Sequence, residues 1–252
     1  MKTETRPFIL QTILLSIFFV SLSALPALAQ SSGDYNKVEF YGGYSYNRVQ
    51  PNTKSATAFG STFENCSSAA TDILGKNFQT FFCQRHGYNG FDTSIAYNFN
   101  RYFGVKANVT GHFKTIPFTD TFDGTAETNT VTEHIYNFLG GVQMKDNSKT
   151  ARFKPFAHAL VGVARNSRKE VETSPIPLDN FTNRSKVTSF AMKLGGGLDV
   201  RLNRRFDLRL IEFDYNPIFT RDYIVSGNPF DVIHTKAKTA HNFTIGFGIA
   251  FH

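Results

Sequence analysis

The chain has 252 residues, a formal net charge of +7 and no tryptophan, a length that suits a single domain. Beyond residue 29 it contains no run of about 20 uninterrupted apolar residues, so the sequence excludes a membrane-spanning helix there. Its basic residues are scattered over the chain, and nucleic-acid binding is not expected despite a pI near 9.4.

The N-terminal segment has the three parts of an export signal. Lys2 and Arg6 precede a long apolar run, which ends just before Ala27-Leu28-Ala29. A basic start, an apolar middle and an Ala-x-Ala site predict a secretory signal peptide over 1–29, cleaved to leave one domain over 30–252. A single anchoring helix is the alternative, and the polar residues after the Ala-x-Ala site favour cleavage.

Eight later segments alternate apolar and polar residues with a period of two, which indicates β-strands and not helices. Many are rich in Phe and Tyr, residue types that favour strands. In chain order the predicted strands are 38–49, 91–99, 103–113, 130–144, 153–163, 187–202, 206–215 and 242–251.

The seventh predicted strand contains one irregularity. Leu208 and Leu210 lie on its apolar face, but from Ile211 onward the phase slips, so that Phe213 continues the apolar face and Glu212 the polar face. One extra residue in a strand is the mark of a β-bulge, which is therefore predicted here.

The connections between strands alternate in length. Short polar turns follow the second, fourth and sixth strands, and the two termini would meet on the same side. The long connections are 50–89, 114–129, 166–185 and 216–239. An even strand number with short turns on one side and long loops on the other predicts an all-β, eight-stranded antiparallel up-and-down transmembrane β-barrel in the bacterial outer membrane. The alternative is a lipocalin-like soluble barrel, whose apolar face would enclose a ligand cavity.

In the membrane barrel the charged strand faces point into the lumen. An eight-stranded interior has just enough room for side chains, and buried charges are costly unless they are paired. Pairing across the sixth and seventh strands would place Arg201 near Asp207 and Asp199 near Arg209. We therefore expect a salt-bridge network that plugs the lumen. Its predicted members are Lys106, Lys193, Asp199, Arg201, Asp207 and Arg209.

Four stretches carry a resemblance to a known family. They are VEFYGGYSY at 38–46, AYNFNRYFGV at 96–105, PFAHALVG at 155–162 and FAMKLGGGLDV at 190–200. Through them the chain resembles small bacterial outer-membrane barrels with an outer-membrane-protein-A-like barrel domain, in particular the barrel-only members. The resemblance implies an eight-stranded barrel without a catalytic set, and no anchoring to the cell wall is expected.

The C-terminus departs from that family. Its members commonly end on an aromatic residue that the barrel-assembly machinery reads, whereas here Phe251 is followed by His252. The expected partners are outer-membrane lipid and lipopolysaccharide, the barrel-assembly machinery during biogenesis, and an unidentified surface ligand.

The expected function is that of a non-enzymatic outer-membrane barrel, structural or surface-binding through its four long loops, with no cofactor and no metal. A narrow channel and a rim-located enzyme acting on lipid are the alternatives. His112, His134 and His241 fall near the predicted extracellular rim, where a His-Ser-acid group could be assembled, although no known motif is matched.

Cys66 and Cys83, both in the first long loop, are predicted to form a disulfide, because two cysteines in one loop of an exported protein most simply pair. A metal site is the weaker alternative, since the pair lacks Cys-x-x-Cys spacing. Thiol labelling of the unfolded, unreduced protein should modify neither cysteine, and prior reduction should expose both. Free reaction of both without reduction would contradict the pairing.

Overall fold

In the computed structural model, the regular secondary-structure elements of the described residues are β-strands. The described residues are 34–50, 55–58, 61–64, 84–122, 125–173, 181–221, 223–228, 231–235 and 238–252. Within them no helix has the length and apolar character needed to cross a membrane. The predicted signal peptide at 1–29 and the predicted disulfide of Cys66 and Cys83 lie outside the described residues.

Twelve strands are present in the described part of the chain. They are β1 Val38–Val49, β2 Ser55–Ala58, β3 Ser61–Glu64, β4 His86–Asn98, β5 Phe103–Phe122, β6 Thr125–Lys145, β7 Phe153–Thr173, β8 Phe181–Arg201, β9 Phe206–Thr220, β10 Tyr223–Asn228, β11 Asp231–Thr235 and β12 Lys238–Phe251. Eight of them close into a barrel in the order β1-β12-β9-β8-β7-β6-β5-β4. The predicted eight-stranded antiparallel barrel is confirmed.

The other four strands form two small hairpins, β2–β3 and β10–β11. Each hairpin lies within a connection that the sequence predicts to be a long loop. Both connections are on the side of the barrel opposite the short turns.

Closure depends on pairing between the first and last strands. β1 pairs with β12 from Phe40 opposite Phe251 to Arg48 opposite Phe243, and its other edge pairs with β4. Each barrel strand therefore has a partner on both sides. A spanning sheet needs this arrangement because hydrocarbon offers nothing to satisfy free backbone groups.

The side chains alternate between lipid and lumen in the phase that the sequence predicts. On β12, Phe247 is 57% exposed on the outside, whereas Asn242 on the inside is 0% exposed. The same holds on β5, where Val105 faces outward and Lys106 is buried in the lumen.

The predicted β-bulge is also confirmed. Leu210 and Ile211 both face outward, and the pairing of β9 with both neighbouring strands shifts register at this point. The extra residue returns Glu212 and Asp214 to the lumen face. On the near side of the bulge, Asp199 lies opposite Arg209 and Arg201 opposite Asp207, in agreement with the hairpin alignment predicted from the sequence.

Two predicted loops are wrong. The connections 114–129 and 166–185 are mostly strand, because β5 and β6 pair as far as Phe122 opposite Thr125, and β7 and β8 as far as Glu172 opposite Phe181. The alternation of apolar and polar residues is weak in these segments, because outward positions above the bilayer do not need apolar side chains. The outer ends of β5–β8 form a protruding sheet, which comprises residues 114–122, 125–134, 165–173 and 181–188.

The lipid-facing assignment predicts the effect of a charge at Leu194, an outward residue midway along the apolar part of β8. Leu194→Arg should lower the free energy of unfolding by about 2–4 kcal/mol, the cost of arginine at the middle of the bilayer. Leu202→Arg is the matched control, since Leu202 follows the end of β8 at the short turns and should cost about 0–1 kcal/mol. Urea unfolding in lipid measures both. Equal effects would contradict the assignment.

Candidate functional site: the charged lumen

The lumen holds buried charged side chains from seven of the eight barrel strands. They point inward because they occupy the alternate positions of strands whose other positions face lipid. These side chains are Glu39, Asp92, Lys106, Lys145, Lys154, His158, Lys193, Asp199, Asp207, Arg209, Glu212 and Asp214. We call this set the lumen network.

Arg209 is the hub of the lumen network. Its Nε donates to Asp199 Oδ1 at 2.8 Å and its Nη1 donates to Glu212 Oε2 at 2.7 Å. A third carboxylate, Glu39, accepts from Nη2 at 3.3 Å. The planar guanidinium suits this role because its five N–H groups can serve several carboxylates at once.

Two aromatic rings enclose the same guanidinium. Its central carbon lies 3.9 Å from the centroid of the Tyr41 ring and 4.1 Å from that of Phe156. Gly197 leaves room for this stack, since a Cβ there would approach the Phe156 ring to 2.9 Å. Gly195 likewise leaves room for the carboxylate of Asp214, with which a Cβ would collide. The glycine run of β8 therefore serves packing inside the barrel.

Lys145 links two of the carboxylates that Arg209 also uses. Its Nζ donates to Glu39 and, at 2.5 Å, to Asp199 Oδ2. Neither Lys145 nor Glu39 is in the set predicted from the sequence. The alternation of Glu39 with Val38 and Phe40 could have revealed it, whereas Lys145 is the last residue of its strand.

Asp207 makes a different set of contacts from the one predicted. It accepts from Lys154 Nζ at 2.7 Å, and its Oδ2 lies 2.7 Å from His252 Nε2. The predicted partner Arg201 lies opposite it in register, but the Arg201 side chain donates to the Asn203 carbonyl at the turn. Arg201 is therefore outside the lumen network, because its position beside the turn gives it a backbone acceptor.

The extracellular side of the lumen network is organised around Lys193. Its Nζ lies 2.5 Å from Asp92 Oδ2, 2.9 Å from Asp214 Oδ2 and 3.5 Å from Glu212 Oε1. Lys106 approaches the same Glu212 oxygen at 3.7 Å. Glu212 thus joins this group to Arg209, so that the lumen network is continuous.

One part of the lumen network has the residue types of a metal site. His158, Glu212 and Asp214 each offer a ligand atom, and these atoms lie within 4.8 Å of one another. The amino groups of Lys193 and Lys106 already neutralise these carboxylates. Two cations beside the same oxygens oppose the binding of a metal ion by charge repulsion.

Toward the extracellular side, the inward face combines buried apolar side chains with neutral polar ones such as Asn137, Asn216 and Asn242. Sequence reasoning missed these apolar side chains, because it treated the inward face as polar along its whole length. The buried apolar side chains are Val49, Tyr88, Ile135, Leu139, Leu160, Ala164, Ala191, Ile218 and Ala240. The lumen is therefore filled by the charged lumen network and by these apolar and neutral polar side chains.

The three rim histidines do not come together. His112 is buried in the lumen, where its Nε2 lies 2.9 Å from Ser45 Oγ. His134 packs edge-on against Phe113 on the outer face, and the Nδ1 of His241 lies 2.5 Å from the hydroxyl oxygen of Tyr215. The structure therefore separates the three histidines, because His112 faces the lumen whereas His134 and His241 face outward.

The periplasmic turns are tied together by an exposed pair. Arg101 donates from Nε and Nη2 to the two carboxylate oxygens of Asp146, at 2.9 and 3.0 Å. These hydrogen bonds, assisted by one from the backbone N–H of Ser148, hold the pKa of the Asp146 carboxyl below its usual range. The pair joins two neighbouring turns at the base of the barrel.

The chain belongs to the outer membrane protein beta-barrel domain family, whose model matches residues 14–251. The protein is thus an integral protein of the bacterial outer membrane. No curated protein sequence matches it.

Several solved structures resemble the fold. Ail, the attachment invasion locus protein of Yersinia pestis, in complex with the heparin analogue sucrose octasulfate, is 13% identical over 85% of this chain and 99% of its own, with a TM-score of 0.41. OprG of Pseudomonas aeruginosa is 13% identical over 87% of this chain and 97% of its own, with a TM-score of 0.44. Neisserial surface protein A is 12% identical over 84% and 96%, with a TM-score of 0.38.

A double-mutant cycle on Asp199 and Arg209 tests whether the hub stabilises the barrel. Each single alanine change should lower the free energy of unfolding by about 3–5 kcal/mol, because it leaves a buried charge without its partner. The double change should cost less than the sum of the two, with a coupling energy of about 0.5–3 kcal/mol. Arg205→Ala, at an exposed turn, is the control and should stay within about 0.5 kcal/mol. Additive single effects would contradict the pairing.

Proposed function

We propose that the protein is a closed, non-conducting and non-enzymatic barrel that supports binding segments on the cell surface. Its partners in this proposal are the lipopolysaccharide of the outer leaflet and an unidentified surface ligand. The barrel-assembly machinery acts on it only during insertion.

The filling of the lumen carries this proposal. The side chains of the lumen network have relative exposures of only 0–3%. A water-filled pore would leave charged walls exposed, as in wider barrels with aqueous channels. Ion-paired side chains that meet across the axis support a lumen that is closed to ions and solutes.

The buried apolar side chains of the lumen support a second barrier to ions. Leu160 and Ala191 are 0% exposed, and Leu139 and Ile135 are buried beside them. An ion that entered from outside would have to shed its water to pass these side chains, which is unfavourable. Displacing the ion pairs below would therefore not open a path on its own.

The contacts of His112 support a non-enzymatic role. His112 and Ser45 are hydrogen-bonded like the base and the nucleophile of a serine hydrolase. Both side chains are buried, however, with His112 at 1% and Ser45 at 0% exposure. No hydrogen-bond partner of His112 Nδ1 is present among the described residues, whereas a catalytic triad needs an acidic group at that nitrogen. A buried pair without that third group is better explained as a polar contact within the wall.

Binding is then left to the segments beyond the bilayer. The protruding sheet continues from strands that the lumen network holds together, and the β2–β3 and β10–β11 hairpins lie on the same side. A rigid barrel presents such segments in a fixed arrangement, which lowers the entropic cost of binding.

Planar-bilayer recording tests the closed lumen. The purified protein should insert and give no steady current. A variant with Leu139→Gly, Leu160→Gly and Arg209→Gly removes bulk from the buried apolar side chains and from the lumen network and should give measurable current, which shows that insertion and detection work. A steady, voltage-independent conductance from the unaltered protein would contradict the proposal and favour a narrow channel.

A further inference from the structure

The outward face of the protruding sheet is basic. Arg165 and Lys169 on β7 and Arg184 and Lys186 on β8 all face outward and are exposed. The other outward residues of this sheet with described side chains are mainly threonine. No outward position of the protruding sheet holds an Asp or a Glu in the sequence. We call these four residues the basic patch.

The strand register brings the four side chains together. Lys169 lies opposite Arg184, and Lys186 lies opposite Ser167, between Arg165 and Lys169 along the neighbouring strand. Paired strands are about 4.8 Å apart, so cross-strand neighbours on one face are close enough to hold the same anion.

Two acidic residues of the protruding sheet, Glu133 on β6 and Glu170 on β7, point the other way. Both face inward, and Glu133 lies 3.2 Å from Arg168, which also faces inward. Within the described part of the chain, no carboxylate forms an ion pair with a member of the basic patch. The period of the strands thus directs Glu133 and Glu170 away from the basic patch, and the outward cations are left for an external anion.

The basic patch lies just beyond the hydrocarbon. Val163 on β7 and Phe190 on β8 are the apolar outward residues that border the basic patch. Arg165 comes two residues and Lys169 six residues after Val163, and Arg184 comes six residues before Phe190. At about 3.3 Å per residue and a tilt of about 40°, these residues lie roughly 5–15 Å above the apolar band.

Aromatic rings mark the same boundary on the neighbouring strands. Tyr136 lies opposite Arg165, and its ring contacts that of Phe113 at 5.6 Å between centroids. Aromatic residues gather where the hydrocarbon meets the polar headgroups. The basic patch therefore begins at headgroup level on the outer wall of the barrel.

We propose that the basic patch binds phosphate groups of lipopolysaccharide in the outer leaflet. The patch is continuous with the lipid-facing wall, so its ligand must present anionic groups beside acyl chains. Phosphorylated glycolipid does so, and arginine suits phosphate because its N–H groups can bind two oxygens together. The proposal deepens the proposed function by naming where lipopolysaccharide binds, and it does not require a closed lumen.

The test uses the full barrel in mixed micelles with two probes of equal acyl chains. One probe is diphosphorylated lipid A and the other is the same lipid A after removal of its phosphates. Binding is measured by native mass spectrometry and by titration at several salt concentrations. The unaltered protein should bind the phosphorylated probe at least about tenfold more tightly, with a preference that weakens as salt rises.

The patch variant carries Arg165→Gln, Lys169→Gln, Arg184→Gln and Lys186→Gln. Its preference for the phosphorylated probe should fall by about tenfold, since exposed charges contribute little singly but act together here. The control carries Lys37→Gln, Arg152→Gln, Arg204→Gln and Arg205→Gln. It loses the same number of exposed charges at the periplasmic end and should keep the preference.

A patch variant that binds the phosphorylated probe as well as the control does would overturn the proposal. So would an unaltered protein without phosphate preference, or one whose basic patch binds a soluble sulfated polysaccharide but not lipid A. Should the fourfold variant fail to fold, the pairs Arg165→Gln/Lys186→Gln and Lys169→Gln/Arg184→Gln answer the same question. Arg165→Lys/Arg184→Lys keeps the charge but loses the two-oxygen geometry, so it should lose less of the preference than Arg165→Gln/Lys186→Gln does. Bilayer conductance is a separate readout, so this proposal and the closed lumen can fail independently.

Discussion

The structure depends on one constraint, which is that hydrocarbon cannot hydrogen-bond. Every backbone group in the bilayer must find its partner within the sheet, so β1 must close onto β12 and no edge can remain. The same solvent requires apolar side chains on the outside and sends the alternate, charged positions into a narrow lumen. Inside, charges must pair, and the contacts of Arg209 with three carboxylates follow from this need.

The β-bulge at Leu210 and Ile211 connects the backbone to this charge pairing. Without the extra residue, the period of β9 would direct Glu212 and Asp214 toward lipid and Phe213 into the lumen. With it, Glu212 reaches Arg209, Lys106 and Lys193. Glu212 then joins the Arg209 group to the Lys193 group. A local irregularity of one residue thus decides whether the lumen can be filled by neutralised charges.

The sequence predicted the lipid-facing residues and the bulge from the period of two along single strands. It predicted the closed eight-stranded barrel from the even strand number and from the alternation of short turns with long loops. It placed the ends of β5 and β7 too early, at 113 and 163. Outward residues above the bilayer do not contact lipid and therefore need not be apolar. Where a short turn joins two strands, as between β8 and β9, their register can be inferred from the sequence. Asp199 opposite Arg209 is the example. Lys145 and Glu39 belong to strands far apart in the chain and meet across the lumen, and one sequence does not show such a contact.

The central claim is that the lumen is closed around Arg209, and proton exchange at its Nε–H tests this most directly. The exchange rate with water can be measured by NMR on the folded barrel in lipid nanodiscs, with the exposed Arg204 as an internal reference. A buried guanidinium bonded to Asp199 should exchange at least about a hundredfold more slowly than Arg204, because exchange requires the pair to open to water. Equal rates at the two arginines would show a water-filled lumen and contradict the account.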